Sequence, residues 1–203
     1  MTGLLALSKR IDQLSRAVAI IATWLVLLAA LLSALNAVVR YSLTGVMALD
    51  RELRVFGGGL GWLLDAYRDH SNVMGEAQLV MFSGMVMLGA PWTLKMNEHV
   101  RVDVLYGWVA PRTRLWIDLA GGVLFLLPVA LLMNYFAWPW FYESWVTNEM
   151  SSNAGGLPRW PFKIFLPLGF ALIGLQGVSE IIKCIAALQH AAVEIRAYEK
   201  PVQ

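Results

Sequence analysis

Residues 17–39 read AVAIIATWLVLLAALLSALNAVV, 23 consecutive residues without an ionisable side chain, bracketed by Arg16 and Arg40. An α-helix rises 1.5 Å per residue, so about 20 apolar residues cross the roughly 30 Å of bilayer hydrocarbon. The run is longer than the apolar part of a secretory signal peptide, and no small-x-small cleavage site follows it. It is therefore expected to be a retained membrane-spanning helix, and that expectation sets the fold class of the whole chain.

Three further runs fit the same template. Residues 77–94, AQLVMFSGMVMLGAPWTL, are near the lower length limit and place Pro91 in a final turn, where a kink or a helix end is tolerated. Residues 115–138 contain Pro128, with Asp118 near the start and Asn134 near the end. Residues 162–182, FKIFLPLGFALIGLQGVSEII, carry Pro167, Glu180 and three glycines, Gly169, Gly174 and Gly177, which let a neighbouring helix approach closely. Composition agrees: 58% of the 203 residues are hydrophobic and only 15% charged, against about 25% charged in soluble domains. The formal net charge of +2 and the absence of a basic block argue against nucleic acid as a partner and leave membrane lipid as the natural surroundings. The sole cysteine, Cys184, excludes a disulfide framework or a cysteine zinc site.

The expected architecture is an all-α membrane protein of four transmembrane helices, a single membrane domain over residues 1–203. Lysine and arginine orient it. Ten of the 16 lie before the first span, between the second and third, or after the fourth, which places both termini in the cytoplasm. The outer loop, residues 40–76, includes Leu60, Leu63, Leu64 and Tyr67 on one helical face, the pattern of an interfacial amphipathic helix on the membrane surface. Trp138, Trp140, Trp145 and Trp160 flank the second outer loop as an aromatic belt.

Ionisable chemistry concentrates in the cytoplasmic loop, residues 95–114, where NEHVRVD occupies positions 97–103. Glu98 and Arg101 are spaced i,i+3, and His99 and Asp103 i,i+4, so each pair shares a helical face. A metal site from one histidine and two carboxylates is open on these residues, but a short surface helix held by ion pairs accounts for them more simply. His70, His99 and His190 all fall outside the spans, which disfavours a haem-binding bundle and hence a redox-enzyme anchor. No HExxH, GxSxG or phosphate-binding loop occurs, so no catalytic, cofactor or metal residue is assigned, and a stand-alone membrane enzyme is disfavoured. The span middles carry no Asp, Glu, Lys, Arg or His, unlike a self-sufficient transporter of polar solutes. Such a chain reads as a support.

The order of short motifs resembles a known family. NEHVRVD, then APRTR at 110–114, NAVVRY at 36–41, Glu76 before the second span, Leu88-Gly89-Ala90, Gly156-Leu157-Pro158 and Leu175-Gln176-Gly177 resemble the small membrane subunit of tripartite ATP-independent periplasmic transporters. The resemblance covers roughly residues 16–185, and the first outer loop, longer than usual over 45–70, departs from it. It implies a non-catalytic subunit without cofactors in a bacterial inner membrane, extending the stationary scaffold of a large multi-helix subunit. The implied task is organic acid uptake by sodium-coupled symport, with substrate delivered by a periplasmic substrate-binding protein that the subunit helps to dock. Arg40, Glu76, His99, Arg101 and Asp103 become candidate subunit or docking contacts on this reading, with Arg40 and Glu76 expected to lie on one side and able to pair.

Overall fold

The computed structural model describes residues 2–53, 61–97 and 108–189. It is helical, with no strand longer than an isolated bridge among the described residues. Helix α1 runs Thr2–Leu53, α2 Gly61–Met96 and α3 Pro111–Gly121. A π-helical turn, Gly122–Leu126, joins α3 to α4, Leu127–Val146; a short α5, Trp160–Lys163, then leads into α6, Phe165–Leu188. Four stretches are long and apolar enough to cross a membrane: Thr2–Leu49, Asp65–Met96, Pro111–Val146 and Trp160–Leu188. Each expected span lies inside one of them.

The helices are longer than the spans because helical periodicity does not stop where hydropathy falls. On α1 the less exposed positions recur at three- and four-residue steps: Ser8, Ile11, Ser15, Val18, Ala22, Leu25, Ala29, Leu32, Asn36, Val39, Leu43 and Met47. That repeat keeps one face of α1 turned to its neighbours well beyond Val39. Antiparallel α2 answers it, with Gly84 against Leu25, Gly89 near Ala22, and the Tyr67 hydroxyl donating to Asn36 Oδ1 at 3.0 Å. Residues 61–67 of the surface helix expected over 60–67 are instead the unbroken start of α2. Pro91 likewise does not end α2, which continues to Met96. Pro128 is accommodated by the π-turn before it, where Leu127 N–H bonds to Gly122 O. A proline ring collides with the carbonyl four residues back, and widening the preceding turn relieves that collision.

Helix α6 is the centre of the bundle. It packs on α1, α2, α3, the π-turn and α4, and buries nine residues, whereas α3 buries none. Lipid is as apolar as leucine, so helices in it associate by close contact rather than by escape from water. Glycines supply that contact: a Cβ on Gly177 would stand 2.8 Å from Leu126 Cδ2, and one on Gly122 3.0 Å from Ile181 Cγ1. Gly169 is the tightest, since an added Cβ would meet Met87 Cβ at 2.7 Å and the Met87 carbonyl oxygen at 3.0 Å. The polypeptide itself has to move there. Much of the remaining apolar surface faces outward, including Trp24, Leu31 and Leu35 on α1 and Leu131, Tyr135 and Phe136 on α4.

Gly169→Ala is expected to destabilise the protein by about 1–3 kcal/mol, as overpacking does. Gly121→Ala, whose Cβ would have open space, is expected to leave stability unchanged or raised. Thermal melting of both variants in one detergent checks this; equal midpoints would contradict the packing assigned to Gly169.

Candidate functional site

Two polar clusters tie the bundle together, one at each end. At the end where α1 begins and α6 finishes, Ser8, Asp12 and Ser15 lie along one face of α1, and Gln176, Ser179, Glu180 and Lys183 along one face of α6. Lys183 Nζ stands 3.0 and 2.9 Å from the two Asp12 oxygens and 2.8 Å from Glu180 Oε1. Gln176 is fully buried; its amide nitrogen donates to Asp12 Oδ1 at 3.0 Å and to Glu180 Oε1 at 2.7 Å, and its oxygen accepts from Ser15 Oγ at 2.7 Å. Two carboxylates on one side and a hydroxyl on the other fix which way the amide points. Ser179 Oγ lies 2.9 Å from Asp12 Oδ1 and 2.7 Å from Ser8 Oγ. Each hydroxyl has one proton, so Ser179 donates to the carboxylate while Ser8 donates to Ser179. Lys95 at the end of α2 completes the cluster, 3.5 Å from Asp12 Oδ2 and 4.7 Å above the Trp92 ring. Two carboxylates and two ammonium groups leave no net charge.

At the opposite end, Glu76 of α2 holds the loop between α4 and α5. Its Oε1 accepts from Ser151 Oγ and, at 2.8 Å, from Asn153 Nδ2; its Oε2 accepts from Leu157 N–H at 2.5 Å. Asn72, one helical turn before Glu76, donates from Nδ2 to Ala154 O at 3.0 Å. The loop closes on itself through Ser151 N–H to Leu157 O at 3.1 Å and Arg159 N–H to Glu149 O at 2.8 Å, with an antiparallel bridge between Met150 and Pro158. Gly155 turns the chain at φ 68°, a backbone conformation that L side chains avoid. Gly156 leaves room for the carboxylate, because a Cβ there would lie 2.8 Å from both Glu76 oxygens. Lys163 Nζ bonds to Glu149 Oε2 and sits 4.5 Å above the Trp140 ring, while Trp145 and Trp160 meet edge to face at 4.6 Å.

The sequence profile of the DctQ component of tripartite ATP-independent periplasmic transporters matches residues 72–187, more than half of the chain. The chain belongs to the DctQ family. Neither a curated protein nor a solved structure matches it. A DctQ component is the small membrane subunit of a tripartite transporter that also comprises a large membrane subunit and a binding protein, and it resides in the inner membrane, in accord with four apolar helices.

Both clusters contain residues that the family resemblance singled out: Glu76 and the Gly156-Leu157-Pro158 turn in one, Gln176 in the other. The Arg40–Glu76 pair does not form among the described residues. The pairing of Asn36 with Tyr67 places Arg40 beyond Tyr67 along the hairpin, more than two helical turns further out than Glu76. The exposed Arg40 side chain stays apart while the loop takes up the Glu76 carboxylate. His99, Arg101 and Asp103, with the surface helix expected around them, lie outside the described residues. Among the described residues, no group of three His, Cys, Asp or Glu is placed to hold a metal ion. In this DctQ chain the terminal cluster was missed as a unit. Its signal was present as polar residues at 8, 12 and 15 and at 176, 179, 180 and 183, both sets at helical spacing.

Removing one member of the terminal cluster unbalances it: Asp12 would keep only the more distant Lys95, and Lys183 only Glu180. Lys183→Met and Asp12→Leu are each expected to cost about 3 kcal/mol, and the double variant is expected to recover much of the loss. Thermal melting of all three in detergent checks it, and additive losses would contradict the coupling. At the other end, the Lys163 ammonium holds the Glu149 carboxyl below the ordinary glutamate range. A depressed carboxyl stabilises fully above its ordinary value, about 4.3, and the contribution is lost as pH falls through the lowered one. The loop is therefore expected to stay closed at pH 5 and loosen below about pH 4, read from amide hydrogen exchange over residues 149–159. An unchanged profile in Glu149→Gln would contradict this.

Proposed function

We propose that this chain is a non-catalytic small permease subunit. On this reading it extends the stationary scaffold of the large subunit and helps dock the periplasmic substrate-binding protein, in sodium-coupled uptake of organic acids. The observation that carries the reading is the distribution of charge. The span middles hold no ionisable side chain, and the ionic groups are gathered into clusters that lock the helices to one another at both ends. A bundle built this way has no polar path for a solute and resists tilting, which suits a fixed support beside a moving partner. The lysine and arginine bias supports both termini in the cytoplasm, which would put the Glu76-held loop on the periplasmic face, where a binding protein arrives.

Arg40, His99, Arg101 and Asp103 remain proposed contacts. Arg40 is exposed near the same face as the loop, and the other three belong to the cytoplasmic connector between the second and third spans. The alternative of a redox-enzyme anchor requires haem in the purified protein, and an absorbance spectrum without a Soret band counts against it.

The test is co-production of the chain with the large subunit and measurement of substrate uptake in proteoliposomes with added binding protein. Glu76→Ala is expected to insert and to co-purify with the large subunit as wild type does, while docking of the binding protein weakens at least several-fold. Wild-type docking and uptake with Glu76→Ala would remove the role given to the loop. Uptake by the large subunit alone at the full rate would remove the scaffold reading.

A further inference from the structure

Asp12 is the only carboxylate in the first 49 residues, and it lies three residues after Lys9 and four before Arg16, the spacings at which helical ion pairs form. Neither pair is made. Both Asp12 oxygens turn into the bundle, toward Lys183 at 3.0 and 2.9 Å and Lys95 at 3.5 Å. Lys9, Arg10 and Arg16 are exposed, and they form no ion pair among the described residues. The terminal cluster is neutral by itself, so these charges stand uncompensated on the outer side of α1.

Their placement gives the character of the group that would meet them. Lys9, Gln13, Arg16, Ile20, Trp24 and Leu27 follow one another at three- and four-residue steps, and all are exposed. They form one stripe, opposite the packed positions Ile11, Ser15 and Ala22. The stripe changes from cationic to apolar at Arg16, where the run without ionisable side chains begins. A phospholipid has the same order of parts along the membrane normal, a phosphate at the boundary and acyl chains behind it. Lys9 and Arg16 stand about 10 Å apart along the axis, and their long stems let both approach a phosphate beside Gln13, whose amide nitrogen is a further donor. Guanidinium binds phosphate oxygens through paired N–H bonds. A zwitterionic headgroup brings its own ammonium and leaves the excess positive charge in place; an anionic one neutralises it. Burying unpaired cations in a protein interface is costly, whereas in the headgroup layer they meet anions and keep water.

We infer that the Lys9–Gln13–Arg16 face of α1 binds one anionic phospholipid, its phosphate held by Lys9 and Arg16 and an acyl chain lying along Ile20, Trp24 and Leu27. The inference is independent of the scaffold and docking readings, since it concerns this chain and its lipid alone. A headgroup held here fixes the depth and rotation of α1 on the side of the helix that the Asp12 contacts do not reach.

The test uses the full chain purified in detergent, with phosphatidylglycerol and phosphatidylcholine of identical acyl chains as probes. Native mass spectrometry is expected to show one phosphatidylglycerol retained per chain, bound at least about tenfold more tightly than phosphatidylcholine. Lys9→Gln/Arg16→Gln is expected to abolish that preference and Lys9→Arg/Arg16→Lys to keep it. Arg112→Gln, which removes an exposed arginine at the start of α3, is expected to leave it unchanged. Glycerol 3-phosphate, which has the charge without the acyl chains, is expected not to displace the lipid. Displacement by glycerol 3-phosphate, a preference that survives Lys9→Gln/Arg16→Gln, or its equal loss in Arg112→Gln overturns the site. A preference absent from the wild type, or lost in Lys9→Arg/Arg16→Lys, overturns it whether or not the glutamine variant folds. Loss of the large subunit from complexes formed with the glutamine variant also overturns it, by assigning the stripe to a protein partner.

Discussion

The carboxylate of Asp12 is the point on which the arrangement of the helices depends. It belongs to the first helix, yet its hydrogen-bond partners Gln176, Ser179 and Lys183 all lie on the last, and Lys95 approaches it from the second. Within a bilayer no hydrophobic force selects one pairing of apolar helices over another, so selection falls to close packing and to polar contacts. A charge that finds its partners in only one arrangement supplies that selection. With α1, α2 and α6 registered at this end, the glycine contacts of Gly84, Gly169 and Gly177 follow along the length of the bundle.

The opposite end is registered by different means. There the Glu76 carboxylate folds a loop rather than joining helices, and the backbone supplies part of the grip through Leu157 N–H. Trp140 lies under the Lys163 ammonium that bonds Glu149, and Trp145 meets Trp160 at the start of α5, so aromatic rings of the kind that gather at membrane interfaces adjoin the ionic contact. Depth, loop shape and helix spacing at this end are therefore a single constraint.

The four spans were legible in the sequence because about 20 apolar residues between charges have few other readings. The family was legible in short motifs, several of which stand at the two clusters. The helix ends were not. Hydropathy falls at Arg40, but the three- and four-residue repeat of Leu43 and Met47 continues, and helices follow the repeat. Nothing in the apolar count shows that residues 61–76 join the second span in one rod. The partner of Glu76 was illegible for another reason. Residues 151–157 are distant in sequence, and choosing between them and Arg40 requires knowing how α1 and α2 are staggered. By sequence alone Asp12 precedes the first span and Glu180 closes the last; that they share Lys183 is a fact of packing.

Lys183 also has a meaning beyond assembly. Its ammonium group is enclosed by carboxylate oxygens of Asp12 and Glu180 beside the hydroxyl of Ser179, a set of oxygens of the kind that binds a free cation. Here the cation is tethered to the chain and cannot leave. On the proposed reading of sodium-coupled uptake, the stiffness of this end is then independent of the ion concentrations that drive transport. A frame whose counter-ion is covalently its own keeps its shape whether the gradient is charged or spent.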